Sequence, residues 1–169
     1  YGLCLCNDTL SDEDRLMGTR AIYIFEDEHE EVHVYKHYDN YPQGAVGFIE
    51  NAKEFAWGLP RFVAGEFAAA FVAANKNRKG GEVRLVNARF KDRDEMLEAN
   101  DWCDYYYVIS YQSDYEDLWI EIWESQYMSS RERAYHGVYM SSRDTCSWVL
   151  IDELTHTDMK EKYRIREAV

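Results

Sequence analysis

Two segments near the start of the chain alternate apolar and polar residues with the period of a β-strand. Residues 20–25 are mostly β-branched or aromatic, and residues 31–37 alternate strictly, with His33, Tyr35 and His37 on the face opposite two valines. Both patterns are typical of strands. Because only the acidic residues 26–30 separate the two segments, they predict a β-hairpin.

The period then changes to that of a helix. A dense turn signal at residues 39–44 is followed by apolar residues at three- and four-residue spacing, from Ala45 to about residues 58–59. A second, alanine-rich helix is predicted over residues 61–75, and Pro60 suits its first turn. The chain therefore passes from a hairpin to a helix pair.

Strands return in the second half of the chain. A third strand is predicted over residues 82–87, and residues 104–111 and 118–124 form the clearest hairpin of the sequence. The second strand of that hairpin carries large apolar groups on both faces, which is typical of a strand covered on both sides. Residues 147–151 predict a last strand.

Three further segments complete the pattern. Residues 157–163 predict a short helix capped by Thr155 or Thr157. The polar residues 91–101 fit a short helix or an irregular loop. Residues 125–145 contain Tyr-Met-Ser-Ser-Arg twice and predict a mobile loop or a short helical excursion.

The resulting order of elements is β-β-α-α-β-β-β-loop-β-α. Strands joined by tight hairpins pair antiparallel, so the sequence predicts an α+β fold. We expect a mainly antiparallel sheet of about six strands with two to three helices packed on one face. The length suits one domain, assigned to residues 17–169, with residues 1–16 as an N-terminal extension.

The charge of the chain limits its partners. The formal net charge is −13 and no dense Lys/Arg cluster occurs, which disfavours binding to nucleic acid and to anionic membranes. A basic protein is the more natural partner, although acidity also serves solubility alone. We find neither a secretory signal nor an apolar run of membrane-spanning length, so the expected location is cytoplasmic.

Motifs for metals, cofactors and catalysis are not evident. The four cysteines form no paired CxxC units, so we expect free thiols and no structural zinc. His33 and His37 lie about 13 Å apart on an extended strand, too far to chelate a metal easily, and are interpreted as part of a polar outer face. No cofactor is implied, and an enzyme is the less favoured interpretation.

One cluster of polar residues has candidate chemistry. In an antiparallel hairpin, residues near 20 and near 37 meet at its open end. One interpretation is structural, with Arg20 and Asp39 paired to lock the turn. The functional alternative is a pocket for an anion or a small ligand, with Arg61 as a second cation, lined by Arg20, His37, Asp39 and Tyr41.

Aromatic residues of the second hairpin form another candidate surface. Alternation predicts an aromatic platform across its strands, either in the core or at a protein interface. Its members are Tyr105, Tyr107, Tyr111, Trp119 and Trp123.

Two motifs resemble a family of small uncharacterised bacteriophage and prophage proteins. They are Met17-Gly18-Thr19-Arg20-Ala21 and the segment Tyr-Lys-His-Tyr-Asp-Asn-Tyr-Pro-Gln-Gly at residues 35–44, and the similarity extends over most of residues 17–124. Asn40 stands where the family usually has glycine; asparagine tolerates positive φ, so we expect the turn to survive. The resemblance implies a phage origin, a start at Met17 and an artefactual segment before it. It implies no activity.

Two hypotheses follow from these patterns. The first is a non-enzymatic accessory protein of phage type, whose acidic surface binds a basic host or phage protein. The alternative is a small enzyme or ligand-binding protein with its pocket at the open end of the first hairpin. Exposed strand edges also make a homodimer reasonable.

Overall fold

A six-stranded sheet with four helices is the frame of residues 18–77, 82–86, 90–125 and 148–163, which the computed structural model describes. Its strands are β1 (Ala21–Glu26), β2 (Glu31–Lys36), β3 (Val83–Leu85), β4 (Tyr105–Gln112), β5 (Asp117–Ser125) and β6 (Trp148–Thr155). The helices are α1 (Pro42–Phe55), α2 (Ala64–Asn75), α3 (Arg93–Ala99) and α4 (His156–Tyr163). The predicted α+β class is confirmed.

The sheet is antiparallel except at one place. Its strand order is β3-β2-β1-β4-β5-β6, and β1 pairs in parallel with β4 from Ala21 opposite Tyr105 to Phe25 opposite Ile109. The other four neighbouring pairs are antiparallel, as the hairpins predict. Strand β1 is therefore central, and its first five residues are all fully buried.

Two hydrophobic clusters lie on opposite faces of the sheet. Three helices cover the larger cluster, as predicted, through residues such as Ile49 of α1, Phe71 of α2 and Met159 of α4. The short helix α3 covers part of the other face through Met96 and Leu97. Alternation along the strands separates the clusters, since Leu118, Ile120 and Ile122 of β5 all belong to the larger one.

Both helices of the first pair begin elsewhere than predicted. Helix α1 starts at Pro42 rather than Ala45, because proline satisfies the first helical position without an N–H group. Helix α2 starts at Ala64 rather than at residue 61, so Pro60 lies outside its first turn. The carboxylates of Asp27 and Glu30 accept hydrogen bonds from the backbone N–H groups of Ala64 (2.8 Å) and Gly65 (3.2 Å), which anchors the helix start to the hairpin turn.

At the other end of the chain, β6 leads directly into α4. The hydroxyl oxygen of Thr155 accepts a hydrogen bond from the backbone N–H of Asp158 at 3.1 Å, so Thr155 provides the predicted cap. Residues 1–17, with Met17, and most of residues 125–145 lie outside the described part of the chain. None of the described helices is long and apolar enough to cross a membrane.

Candidate functional site

The open end of the first hairpin is built around Asn40. Its side-chain amide donates to the backbone oxygens of Thr19 (2.8 Å) and Lys36 (2.9 Å) and accepts from the Tyr23 hydroxyl (2.7 Å). Its backbone oxygen accepts from the Tyr107 hydroxyl at 2.6 Å. We call these five residues the hairpin junction. Asn40 is fully buried, so its role in the turn is hydrogen bonding.

The positive φ expected near Asn40 occurs at Asp39 instead, where φ is 61°. Gly44 of α1 lies against this turn, because a Cβ atom there would come within 1.9 Å of the Asp39 backbone oxygen. Three features thus explain the turn signal. They are the left-handed backbone of Asp39, the hydrogen-bonded amide of Asn40 and the close contact of Gly44 with the turn. The expectation that Asn40 itself takes the glycine conformation is wrong.

Arg20 and His37 are both buried at this end of the hairpin, each 7% exposed. The Arg20 guanidinium lies 5.5 Å from the centre of the Trp102 ring, and His37 Nδ1 lies 2.6 Å from the Tyr35 hydroxyl. Burial of His37 and Tyr35 corrects the predicted polar outer face. That face packs instead against Trp102 and α3.

The other predicted site residues do not join them. Asp39 is exposed, and no ion pair between Arg20 and Asp39 occurs among the described residues, so the predicted locking pair is wrong. Tyr41 packs edge-on against Tyr105 on the opposite face of the sheet.

Arg61 lies at the far end of the helix pair. It stacks on Trp57, with its guanidinium carbon 3.4 Å from the ring centre, beyond the 14 residues of α1. A helix of that length spans about 21 Å. The prediction that Arg61 adds a second cation to a pocket at the hairpin junction is therefore wrong.

The predicted aromatic platform is divided between the two faces. Tyr105 and Tyr107 lie in the larger cluster, whereas Trp123 stacks on Tyr106 on the other face, with ring centres 5.3 Å apart and planes 8° from parallel. Side chains of neighbouring residues on a strand point to opposite faces. Because Trp123 lies opposite Tyr106 in the register of β4 and β5, it shares the face of Tyr106 and not that of Tyr105 and Tyr107.

An open groove of about 770 Å³ lies beside this second face. One wall is helix α3 and the turn after it, and the other is formed by rings from three neighbouring strands. We call it the acidic groove; its lining residues are Asp94, Leu97, Glu98, Asp101, Tyr106, Trp123 and Trp148. Three acidic residues and three aromatic residues therefore line the same groove.

Local interactions hold α3 beside the sheet. The Asp92 carboxylate accepts from the Glu95 backbone N–H at 2.9 Å, and the Glu95 carboxylate accepts from the Lys91 N–H at 2.9 Å, a reciprocal cap at the helix start. Arg93 pairs with Glu26 and Glu31 of the first hairpin. These interactions anchor the N-terminus of α3 to the first hairpin. Asp94 and Glu98 take no part in them.

The charges in and near the acidic groove differ in their environment. Asp94 and Glu98 are exposed and make no ion pair or side-chain hydrogen bond within the described residues. The pKa of the neighbouring Glu121 is raised, mainly by burial and then by the charge of Glu26. Arg93 and the Trp123 indole oppose this shift only in part. The Trp123 Nε1 atom is buried and has no hydrogen-bond partner of good geometry within the described residues.

A second open groove, of about 870 Å³, lies at the turn of the first hairpin. It is also acidic, but two of its carboxylates cap α2, as described above. Hydrogen bonds from the N–H groups of Ala64 and His29 lower the pKa of Asp27. These two carboxylates therefore have a structural role, whereas Asp94 and Glu98 of the acidic groove have no such partner within the described residues.

The structure bears on two kinds of chemistry considered from the sequence, metal binding and the state of the cysteines. No three His, Cys, Asp or Glu side chains among the described residues are arranged to hold a metal ion. Cys103 is buried, and the other three cysteines lie outside the described ranges.

Sequence reasoning misses the acidic groove because the polar residues 91–101 fit a short helix and an irregular loop equally. Two signals in that segment indicate it. Asp92 and Glu95 have capping-box spacing, and Asp94, Glu98 and Asp101 recur at four and three residues, which is one face of a helix. Trp148 had no such signal, since its place depends on the pairing of β6 with β5.

Comparison of the chain with protein-family models, curated proteins and solved structures gives no match. The described residues define an α+β protein with a mixed six-stranded sheet and an acidic groove on the face opposite α1, α2 and α4. The resemblance to phage proteins stays a prediction.

Proposed function

We propose that this chain is a non-enzymatic protein-binding module of phage type whose acidic groove receives a basic segment of a partner protein. The observation that carries the proposal is that Asp94 and Glu98, which are exposed and have no ion pair or side-chain hydrogen bond within the described residues, line the same groove as the rings of Tyr106, Trp123 and Trp148. Carboxylates attract a cation and aromatic faces bind it, so one wall complements the other.

Apolar residues beside the groove support a protein partner. Val149, Leu150 and Ile151 of β6 are 41%, 38% and 42% exposed, and Leu150 lies opposite Trp123 in the strand register. Protein interfaces typically combine such an apolar, aromatic centre with a charged rim. The overall charge of −13 would steer a basic partner toward this surface.

The proposal is tested by capturing partners from host lysate on the immobilised chain. The test variant is the double substitution Asp94→Asn, Glu98→Gln. The matched control is Glu54→Gln, Asp114→Asn, which removes the same charge from exposed positions outside the groove. We expect the wild type and the control to retain one basic protein, which moderate salt releases, and the groove variant to lose it. Equal recovery by all three chains would contradict the proposal.

The alternative, an anion site at Arg20, is favoured by one observation. The buried Arg20 Nε has no hydrogen-bond partner within the described residues. Titration with inorganic phosphate, followed by Trp102 fluorescence against an Arg20→Lys variant, tests it. A saturable change that Arg20→Lys abolishes would favour this alternative, and no change would exclude phosphate as its ligand.

A further inference from the structure

The spacing of the carboxylates in the acidic groove matches the repeat of an extended chain. Asp94 and Glu98 are one helical turn apart, or about 6 Å along the axis, and Leu97 between them packs inward. In an extended segment, alternate side chains point to one side about 6.6 Å apart. Two cations at alternate positions of such a segment would each reach one carboxylate.

The aromatic wall favours arginine as the cation. Trp123 lies nearly parallel to Tyr106, while Trp148 meets Tyr106 at 75° with ring centres 4.8 Å apart. Tyr106 is only 6% exposed, so the partly exposed rings of Trp123 and Trp148 are those that a ligand can reach. A planar guanidinium stacks on such a ring and still offers two N–H groups to a carboxylate, whereas an ammonium group offers only a point charge.

The neighbouring strand favours an extended occupant. β6 is at the edge of the sheet in the described residues, with β5 as its only neighbour. Trp148 to Leu150 pair regularly with β5, and Ile151 is the extra residue of a bulge. The regular part therefore borders the groove, and an edge strand of this kind pairs with an added chain through its backbone.

We infer that the occupant of the acidic groove is an extended segment of a partner protein with arginine at alternate positions. This inference rests on the proposed function and names the chemistry of its partner. The first arginine would lie between Asp94 and the rings, and the second beside Glu98. The intervening side chain would point away from the groove.

Binding of labelled synthetic peptides, followed by fluorescence anisotropy at low salt, tests the inference. One probe contains Arg-Val-Arg-Val, a second contains Arg-Arg-Val-Val, and a third replaces both arginines of the first by lysine. We expect the first to bind about tenfold tighter than either other peptide. We expect Asp94→Asn, Glu98→Gln to abolish the preference, and Glu54→Gln, Asp114→Asn to retain it.

Equal affinity for all three peptides would overturn the inference. If the groove variant still loses its protein partner in the lysate experiment, the proposed function stands while the inference fails. If that variant also captures the partner normally, both fail.

A second copy of this chain is the competing occupant, because residues 131–133 and 164–166 are themselves Arg-x-Arg sequences. Sedimentation velocity distinguishes it. A monomer at all concentrations supports a separate partner. A dimer that the groove variant dissociates would assign the groove to self-association and overturn the inference.

Discussion

Polar side chains serve different ends at the hairpin junction and at the acidic groove. At the junction, Asn40 is fully buried and its amide and backbone groups bond to Thr19, Lys36, Tyr23 and Tyr107. In the groove, Asp94 and Glu98 are exposed and have no ion pair or side-chain hydrogen bond within the part of the chain that the structure describes. Groups of the first kind stabilise the fold, since each has an internal partner. Groups of the second kind add no polar contact among the described residues, which on our proposal leaves them available to a ligand.

The largest effect is expected from Asn40→Ala. The substitution removes three side-chain hydrogen bonds and leaves the buried Tyr23 hydroxyl without its acceptor. We expect the free energy of unfolding, measured with urea, to fall by about 3 kcal/mol. The control Asn51→Ala removes one 3.3 Å bond of an exposed side chain and should cost under about 1 kcal/mol. Similar losses for both would contradict the role assigned to the junction.

The next effect is expected from Gly44→Ala at the same junction. The new methyl group would meet the Asp39 backbone oxygen, whereas nothing lies within 4 Å of a Cβ at Gly47 on the same helix. Gly44→Ala should therefore lower the melting temperature by an amount equivalent to about 2 kcal/mol. Gly47→Ala should raise it, because alanine favours a helix by about 1 kcal/mol over glycine. A neutral Gly44→Ala would show that the turn can shift.

A buried histidine on the helix-covered face gives a pH-dependent effect. Burial, followed by the charge of Lys53, lowers the pKa of His156 to about 4, and Glu50 only partly opposes this. Between that value and its ordinary 6.5, the unfolded chain binds a proton that the folded chain does not. Stability should therefore fall as the pH drops through this range, by about 3 kcal/mol in total.

The His156→Gln variant isolates this contribution. The difference in unfolding free energy between wild type and variant should increase from pH 4 to pH 6.5 and stay constant above pH 7. A difference independent of pH would mean that His156 titrates normally in the folded protein.

The smallest effect on stability is expected in the acidic groove. Because Asp94 and Glu98 lack described partners, Asp94→Asn, Glu98→Gln should change the unfolding free energy by less than about 0.5 kcal/mol. Measuring this variant beside Asn40→Ala tests directly whether residues of the hairpin junction stabilise the fold and the groove carboxylates do not. A loss as large as that of Asn40→Ala would place these carboxylates in the folding network and remove the basis of the proposed site.

Local patterns predicted most elements of this fold. Alternation in residues 31–37 separates Val34 from Tyr35, and the structure places them in different clusters. The parallel pairing of β1 with β4 was not predicted, because it joins residues about 80 positions apart with no hairpin to signal it. Arg20 was misassigned for a related reason, since it contacts Trp102 and Asp104, which are more than 80 positions away. The side-chain partners of Asn40 lie in or next to the first hairpin, but no residue pattern marks which backbone oxygens a buried amide reaches. Residues 91–101 were undecidable from polarity alone, although capping at Asp92 explains their helix.

The parallel pairing of β1 and β4 also has a consequence for how the protein forms. Strands β1 to β3 with α1 and α2 come from the first half of the chain, and α3, β4 to β6 and α4 from the second. They meet along a seam that includes the stacked Tyr23 and Tyr107 rings, 5.0 Å apart, and the contact of His156 in α4 with the Val46 backbone oxygen in α1. The ion pairs of Arg93 with the first hairpin also belong to it. During synthesis, β1 cannot pair with β4 until residues 105–109 have left the ribosome. Non-local pairing of this kind slows folding, so two separately expressed halves that reassemble would report directly on the strength of this seam.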